Sequence, residues 1–577
     1  MKDVAAQACT PWVHCTQASL CTRSACPFVI FPFGLTSASY EISRTRHASF
    51  CRESKLADIL PCGAKNVDRM AKKSAQMELQ LAPEMESAQD LYNFIYKACD
   101  YLRGPVGHES FKDYLTPLLY YKRISDVWDE EYRSALEESD YDEEYARLPE
   151  QHLFVIPEGC HWEEIRQRDE NLGSAIVEAL RLIEQANPDT LYGVLSAFST
   201  ANFTDKTIIS DERFRNLIEH LSQKRLGNKD YSADLMGDAY EILLKKFADE
   251  SKAKAGEFYT PRAVVKLLVR ILDPQPGERV YDPACGSGGM LIEAVHHTKN
   301  SKLSYGLIFG QEQNPMNAAI AKMNLFLHGA TDFRILQGDT LGDPKILQGG
   351  GLATFDCVIA NPPFSLDNWG AAKWANDPYG RNLWGTPPAT NGDFAWIQHM
   401  VKSMRPGRGR MAVVLPQGVL FRGNVEGEIR KQLIGTDFIE AVITLGDKIF
   451  YGTGLSPCVL ILRWVKKAER VNKVLMLDGS KILTQKRAQN ILSDEDVERL
   501  YKLYSDYVDV EDYARVVTRE EIAEKGYDLS VNKYVQYHKE AVKSYAEVKT
   551  DFDAALDEVT KATAKFRQLL AKGGLLK

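Results

Sequence analysis

The sequence predicts an α/β protein: a helical N-terminal domain, a doubly wound and mainly parallel sheet of seven strands, and a helical C-terminal tail. Three observations predict it. From about Ser87 to Glu250 apolar residues recur at helical spacing. From Gly256 onward short apolar runs alternate with helical segments. After Gly526 apolar residues recur at alternating threes and fours. These shifts place a leader at residues 1–69, the helical domain at 70–250, the sheet domain at 251–480 and the helical C-terminal region with its tail at 481–577.

The leader stands apart by composition. Cys9, Cys15, Cys21, Cys26, Cys51 and Cys62 crowd into it, at spacings that match no metal site. Its apolar run "PFVIFPFGL" is short, internal and broken by Pro32, so it is neither a signal peptide nor a membrane span. "MAKKSAQMELQ", from Met70, reads like an ordinary cytosolic start. The expectation is that residues 1–69 are disordered or not native. Cysteines elsewhere are isolated, which suits a reducing compartment, and the protein is expected to be cytoplasmic with no membrane partner.

In the helical domain, "AQDLYNFIYKACDYL" puts Leu91, Phe94, Ile95 and Ala98 on one face. "FKDYLTPLLYYKRISDVWDEEY" and "DLMGDAYEILLKKFADES" continue the pattern, and "HLFVIP" is the one strand signal. The seven sheet strands are expected in "RVYDPA", "LSYGLIFGQE", "FRILQGD", "FDCVIAN", "RMAVVLP", "FIEAVITL" and "CVLILRW". No helix separates the last two, so they are expected to pair antiparallel at one edge. Ligands on such a sheet sit at the carboxyl ends of the strands, where strand order reverses.

Net charge is −8 and the pI about 5.9. That excludes a protein gripping nucleic acid by overall charge. A nucleic-acid substrate would need a local basic surface or a partner subunit. "RPGRGR", Arg405 to Arg410, reads more naturally as a solvated turn than as a phosphate contact.

"VYDPACGSGG" is a strand, a glycine turn and a helix start. Gly286, Gly288 and Gly289 let backbone approach a ligand that a Cβ would push away. Asp282 ends the strand with a carboxylate, which favours a cationic ligand group over a phosphate. Glu312 ends the next strand, where an acid accepts from ribose hydroxyls. Asp339, in "QGDTL", is placed to accept from an adenine amino group. Any one of these acids could be a solvated strand end; three in succession on one sheet edge make a site.

"DPACGSGG" resembles the S-adenosylmethionine loop of amino-group DNA methyltransferases, and "GEFYTP", residues 256–261, resembles the segment that packs on the methionine end of that cofactor. The resemblance implies S-adenosyl-L-methionine as cofactor. It would be held by Glu257, Phe258, Tyr259, Thr260, Asp282, Ala284, Gly286, Ser287, Gly288, Glu312, Asp339 and Asn361. Thr260 and Pro261 also read as the cap and first turn of the helix "RAVVKLLVRIL".

"NPPF", residues 361–364, carries the chemistry. An exocyclic amine is a poor nucleophile because its lone pair is delocalised into the ring. Two acceptors for its two N–H groups, the Asn361 side-chain oxygen and the Pro362 carbonyl, would draw the nitrogen toward tetrahedral geometry. Pro362 and Pro363 add stiffness and no competing donor, and Phe364 can stack on a base. This tetrapeptide type marks enzymes that methylate adenine N6, cytosine N4 or a glutamine amide, and phenylalanine in last place leans to adenine. Cytosine C5 chemistry needs a cysteine nucleophile, and Pro457–Cys458 lies in an expected buried strand. A base in a duplex must be flipped out to react. "KIFYGTG", residues 448–454, resembles the loop that supplies a second aromatic face, from Phe450 or Tyr451.

From about Ser87 to Val535 the chain resembles the modification subunit of type I restriction–modification systems. "LYYKRISDVWDEEY", "GDAYEILLKKFA", "LPQGVLFRGNVEGEIRKQLI" and "YDLSVNKYV" carry the resemblance. It implies a site-specific adenine-N6 DNA methyltransferase acting on double-stranded DNA. A separate specificity subunit would read the sequence, with a second copy of this chain and a restriction (translocase-nuclease) subunit as further partners. The tail, with Tyr545, Val548, Phe552, Ala555, Val559, Ala562, Phe566 and Leu569 as its seam, would either dock on the specificity subunit or pack on its own body. The alternatives are a protein glutamine-amide methyltransferase, in which family the large helical domain is missing, and a non-catalytic cofactor-binding scaffold. No metal site is expected.

Overall fold

The computed structural model describes residues 87–197, 202–250, 260–298, 308–330, 332–450, 456–486, 490–538 and 544–573. The leader with its cysteines, and Glu257, Phe258, Tyr259 and Tyr451, lie outside them. Twelve described helices have ten residues or more. They are α1 Ala88–Lys97, α2 Phe111–Glu138, α3 Leu172–Ala186, α4 Asp211–Leu221, α5 Ala233–Glu250, α6 Arg262–Leu272, α7 Gly289–Thr298, α8 Pro315–Leu327, α9 Asp393–Ser403, α10 Asn424–Gly435, α11 Asp494–Asp506 and α12 Tyr545–Lys572.

The first five helices build the predicted helical domain. Leu91, Ile95 and Ala98 are buried as the spacing required. On α2, Asp126 accepts from Leu226 N at 2.6 Å and Glu130 from Asn228 N at 2.7 Å, which ties down the loop that leads into α5. "HLFVIP" is not a strand. Its Val155 N–H and carbonyl pair with the Asn187 side chain at 2.9 and 2.8 Å, so an amide takes the place of a neighbouring strand. The domain's apolar core continues into Met323, Phe326 and Leu327 of α8, so the helices share a core with the sheet's own cover.

The sheet has nine strands: β1 Val280–Asp282, β2 Ile308–Glu312, β3 Phe333–Gln337, β4 Cys357–Ala360, β5 Arg410–Pro416, β6 Ile439–Leu445, β7 Pro457–Arg463, β8 Lys473–Gly479 and β9 Ala514–Thr518. Their order is β9-β8-β6-β7-β5-β4-β1-β2-β3. The first five are mutually parallel, and β7 runs antiparallel to both neighbours. The predicted antiparallel pair of β6 and β7 therefore forms, but not at an edge. β7 inserts between β5 and β6, and β8 and β9 extend the sheet past it. β9 is partly exposed, so its apolar pattern is weak, whereas β8 is an apolar run as buried as its neighbours. Alternate residues feed opposite cores: Val280 and Ile359 to one face, Tyr281 and Val358 to the other.

"RPGRGR" sits at the amino ends of the strands, remote from their ligand-binding ends. Arg405 and Arg408 both pair with the fully buried Asp356, at 3.0 and 2.6 Å, and Arg410 pairs with Glu278 at 2.6 Å. It is neither a free turn nor a phosphate contact at the site; it neutralises a buried acid. Cys458 is buried in β7 as expected, and burial pushes its thiol up, away from nucleophilic use.

The tail helix α12 buries none of its residues, so its apolar seam does not pack on its own body. Phe552, Val559, Phe566 and Leu569 are each about 60% exposed. No described helix is long and apolar enough to cross a membrane.

Candidate functional site

β1 and β4 are hydrogen-bonded neighbours, with Val280 opposite Cys357 and Tyr281 opposite Val358. The chain leaves β1 toward β2 on one side, and β4 returns on the other. The crevice at this reversal is lined by Asp282 and the glycine turn after β1, and by Asn361 after β4. That answers the spacing of the two motifs: a stretch of some seventy residues folds back to put their ends side by side.

The turn is shaped by its own hydrogen bonds. Asp282 accepts from Ala284 N at 2.9 Å, and Glu312, at the end of β2, accepts from Gly286 N at 3.0 Å. Gly286 and Gly288 have φ of +52° and +84°, which a side chain would strain. Gly289 opens α7, and a Cβ there would meet empty space. Asp282 is fully buried; desolvation pushes its carboxyl up to about 8, against the Ala284 bond and with the Glu312 charge. Glu312 is also raised by burial, against its backbone bonds. Both of its oxygens hold a backbone N–H, from Gly286 and from Asn314. Asp339 lies exposed two residues past β3 and accepts from Leu341 N at 3.1 Å.

Thr260 does not cap α6. Pro261 takes the cap position, without a side-chain bond. The Thr260 hydroxyl is engaged elsewhere: it accepts from Asn361 Nδ2 at 2.9 Å. Asn361 Oδ1 is buried and has no hydrogen-bond partner among the described residues. Such an atom is costly unless a ligand meets it. An orphaned acceptor at a strand end, on the residue that precedes a stiff proline pair, suits an N–H donor.

The backbone leaving the motif is clamped. Ser365 has φ of +51°, and its N–H donates to Asp393 Oδ1 at 2.8 Å. Asp393, the first residue of α9, is fully buried and pairs with Arg422 at 2.6 Å; Arg422 pairs in turn with Glu426 at 2.7 Å. Farther on, buried Arg381 donates to the carbonyls of Thr340 and Leu341, each at 2.9 Å, while Thr340 Oγ1 donates to the Pro283 carbonyl at 2.6 Å. The loop after "NPPF" is thereby tied to the loops after β3 and β1.

Phe364 is half-buried, with its ring 6.4 Å from that of Phe450. Phe450 is 2% exposed within the core, so as packed it supports Phe364 from behind and offers a base no open face. Nothing in "KIFYGTG" itself shows that Ile449 and Phe450 both turn inward, as they do in the fold. The described residues hold no cluster of metal-ligating side chains.

The family model for N-6 DNA methylases matches residues 231–543, and that for the HsdM N-terminal domain matches 91–221. The chain belongs to the N-6 DNA methylases, as a type I restriction–modification methylase subunit. The MjaVIII methylase subunit of Methanocaldococcus jannaschii is 32% identical over 84% of this chain and 84% of its own length. The MjaVII methylase subunit of the same organism is 38% identical over 52% of this chain and 53% of its own length, so that match spans about half of the relative. Among solved structures, a type I restriction-modification methyltransferase subunit from Streptococcus thermophilus superposes with a TM-score of 0.68 at 29% identity, covering 78% of this chain and all of that one. The methylase subunit is thus an adenine-specific DNA methyltransferase and a member of a type I complex.

Several residues of the methylase subunit's site were not legible in its sequence. Asp393, Arg422 and Arg381 look like ordinary charges in amphipathic or loop segments. Glu241 of α5 and Asn324 of α8 also line the crevice, although each sits within a helix, apart from the glycine turn and "NPPF".

Proposed function

We propose that this methylase subunit transfers a methyl group from S-adenosyl-L-methionine to the N6 amine of a flipped-out adenine, within a complex whose specificity subunit selects the DNA sequence. The orphaned, buried Oδ1 of Asn361, held beside the glycine turn, is the observation that carries this reading. The residues present fit the cofactor: a Cβ-free cradle at Gly289, a buried acid at Asp282 that suits a cationic ligand, and the Glu312 carboxyl at the end of β2.

Asp282, Ala284, Gly286, Ser287 and Gly288 would hold the cofactor's centre, Glu312 its ribose and Asp339 its adenine. When bound, the cofactor supplies an electrophilic sulfonium methyl. The chain's own part is positioning and electrostatics. Asn361 Oδ1 and the Pro362 carbonyl accept the two amine N–H groups, so that the nitrogen lone pair is freed for the methyl carbon. Pro363 keeps the corner stiff, and Phe364 lies flat on the base. The amine nitrogen would carry a positive charge once its new N–C bond has formed; the Asn361 and Pro362 oxygens would lower the energy of that charge, and one proton would then pass from the nitrogen to water. Glu257, Phe258 and Tyr259 are proposed to cover the methionine end, and Tyr451 to face the base from the other side.

The exposed seam of α12 supports docking on the specificity subunit, with a second copy of this chain on the other side of that subunit and a restriction subunit joining the assembly. Single-molecule sequencing of host DNA with and without the gene tests the reading. Loss of N6-methyladenine at one bipartite motif is expected; an unchanged methylation pattern would refute it.

A further inference from the structure

The crevice beside the glycine turn is not lined by the sheet domain alone. Glu241 and Leu244, on α5 of the helical domain, form one wall, and Asn324 of α8 forms part of another. Asn324 is 1% exposed; its Nδ2 donates to the Ser287 carbonyl at 3.1 Å, and its Oδ1 has no partner among the described residues. Glu241 is mostly buried. Its charged neighbours, Arg262 at 3.6 Å and His328 at 3.7 Å, stand beyond hydrogen-bonding distance, and Arg262 is shared with Asp238 at 3.2 Å. Two acids thus face one arginine, and the wall keeps an excess of negative charge. Burial raises the Glu241 carboxyl above its ordinary range, with Arg262 opposing and the charges of Asp238 and Glu293 adding to it.

Ser287, Gly289 and Met290 bring the N-terminal end of α7 to the same crevice, next to Asn324, and there the helix dipole favours an anion. A pocket that holds both buried acceptors and a helix N-terminus matches an α-amino acid zwitterion. We propose that Glu241, assisted by Asn324 Oδ1, binds the α-ammonium group of the cofactor's amino-acid end, so that the helical domain completes the cofactor site. The inference rests on the methyl-donor reading above and adds the two residues that hold the donor's amine.

The test is calorimetric, on the full-length chain, with S-adenosylhomocysteine and its deaminated analogue. Wild type is expected to prefer the amine-bearing compound by about tenfold or more, as a charged hydrogen bond allows. Glu241→Gln should bind the two compounds alike while holding the deaminated one as tightly as wild type, which also shows that it is folded. Asn324→Leu, as a second variant, should lose part of the preference. Variants that both keep the wild-type preference would overturn the inference and leave the methyl-donor reading standing. A wild-type chain that binds neither compound would overturn that reading and the inference with it.

Discussion

Asn361 Nδ2 donates to Thr260 Oγ1 at 2.9 Å, and that bond decides which way the Asn361 amide faces. With the nitrogen taken, the oxygen is left buried and unpartnered at the crevice. Thr260→Val removes the acceptor and lets the amide turn over. Turnover should fall roughly 10-fold to 100-fold, in the range of losing one preorganised polar contact. Cofactor affinity should change far less, and Thr260→Ser should restore the rate. Single-turnover methyl transfer beside equilibrium cofactor binding separates the two effects.

Asp393 ties the backbone after Phe364 to Arg422. Asp393→Ala leaves Ser365 N without its acceptor and Arg422 half-buried beside Glu426 alone. Breaking such a buried pair costs about 3 kcal/mol. A lower urea midpoint and a rise in protease cleavage between residues 365 and 392 are expected; an unchanged midpoint would show that the clamp is idle.

Asp282 makes cofactor binding depend on pH. Its carboxyl is pushed up to about 8 in the unliganded fold, and a cationic ligand favours the ionised form. Affinity should therefore strengthen as pH rises from 6 to 8, with proton release that Asp282→Asn abolishes. The effect on stability has the opposite sign. Between the ordinary value of 3.8 and about 8 the unfolded chain has released this proton and the folded chain has not, so the group's contribution to stability is lost as pH rises through that window. Asp282→Asn should accordingly flatten the fall in unliganded stability toward pH 8. Calorimetry in buffers of different ionisation enthalpy reads the proton release, and melting curves read the stability.

The α12 seam should act in assembly and not in chemistry. Phe552→Glu combined with Val559→Glu places charge on a stripe that is about 60% exposed at both positions. Co-purification with the specificity subunit should be lost while cofactor affinity stays at the wild-type value. Retained co-purification would move the docking surface elsewhere.

The parts of this fold that a local pattern dictates were legible in the sequence. Leu91, Ile95 and Ala98 follow helical spacing, the strand ends at Asp282, Glu312 and Asn361 follow turn chemistry, and all of them fall where the pattern puts them. What was illegible depends on contacts between distant segments. Nothing local sends β7 between β5 and β6, because an antiparallel strand reads the same at an edge as inside a sheet. Thr260 has the composition of a helix cap, and only the fold reveals that its hydroxyl meets Asn361 101 residues away. Phe450 looks available in the sequence and is consumed by the core. Glu241 looks like the solvated face of an amphipathic helix until α8 and the glycine turn close around it.

The most direct test of the central claim is labelled-methyl transfer by Asn361→Ala, assembled with its specificity subunit on its DNA site. Cofactor and DNA binding should persist while incorporation into DNA falls by at least about 100-fold. Incorporation at the wild-type rate would mean that the acceptor corner at Asn361 and Pro362 does not activate the amine.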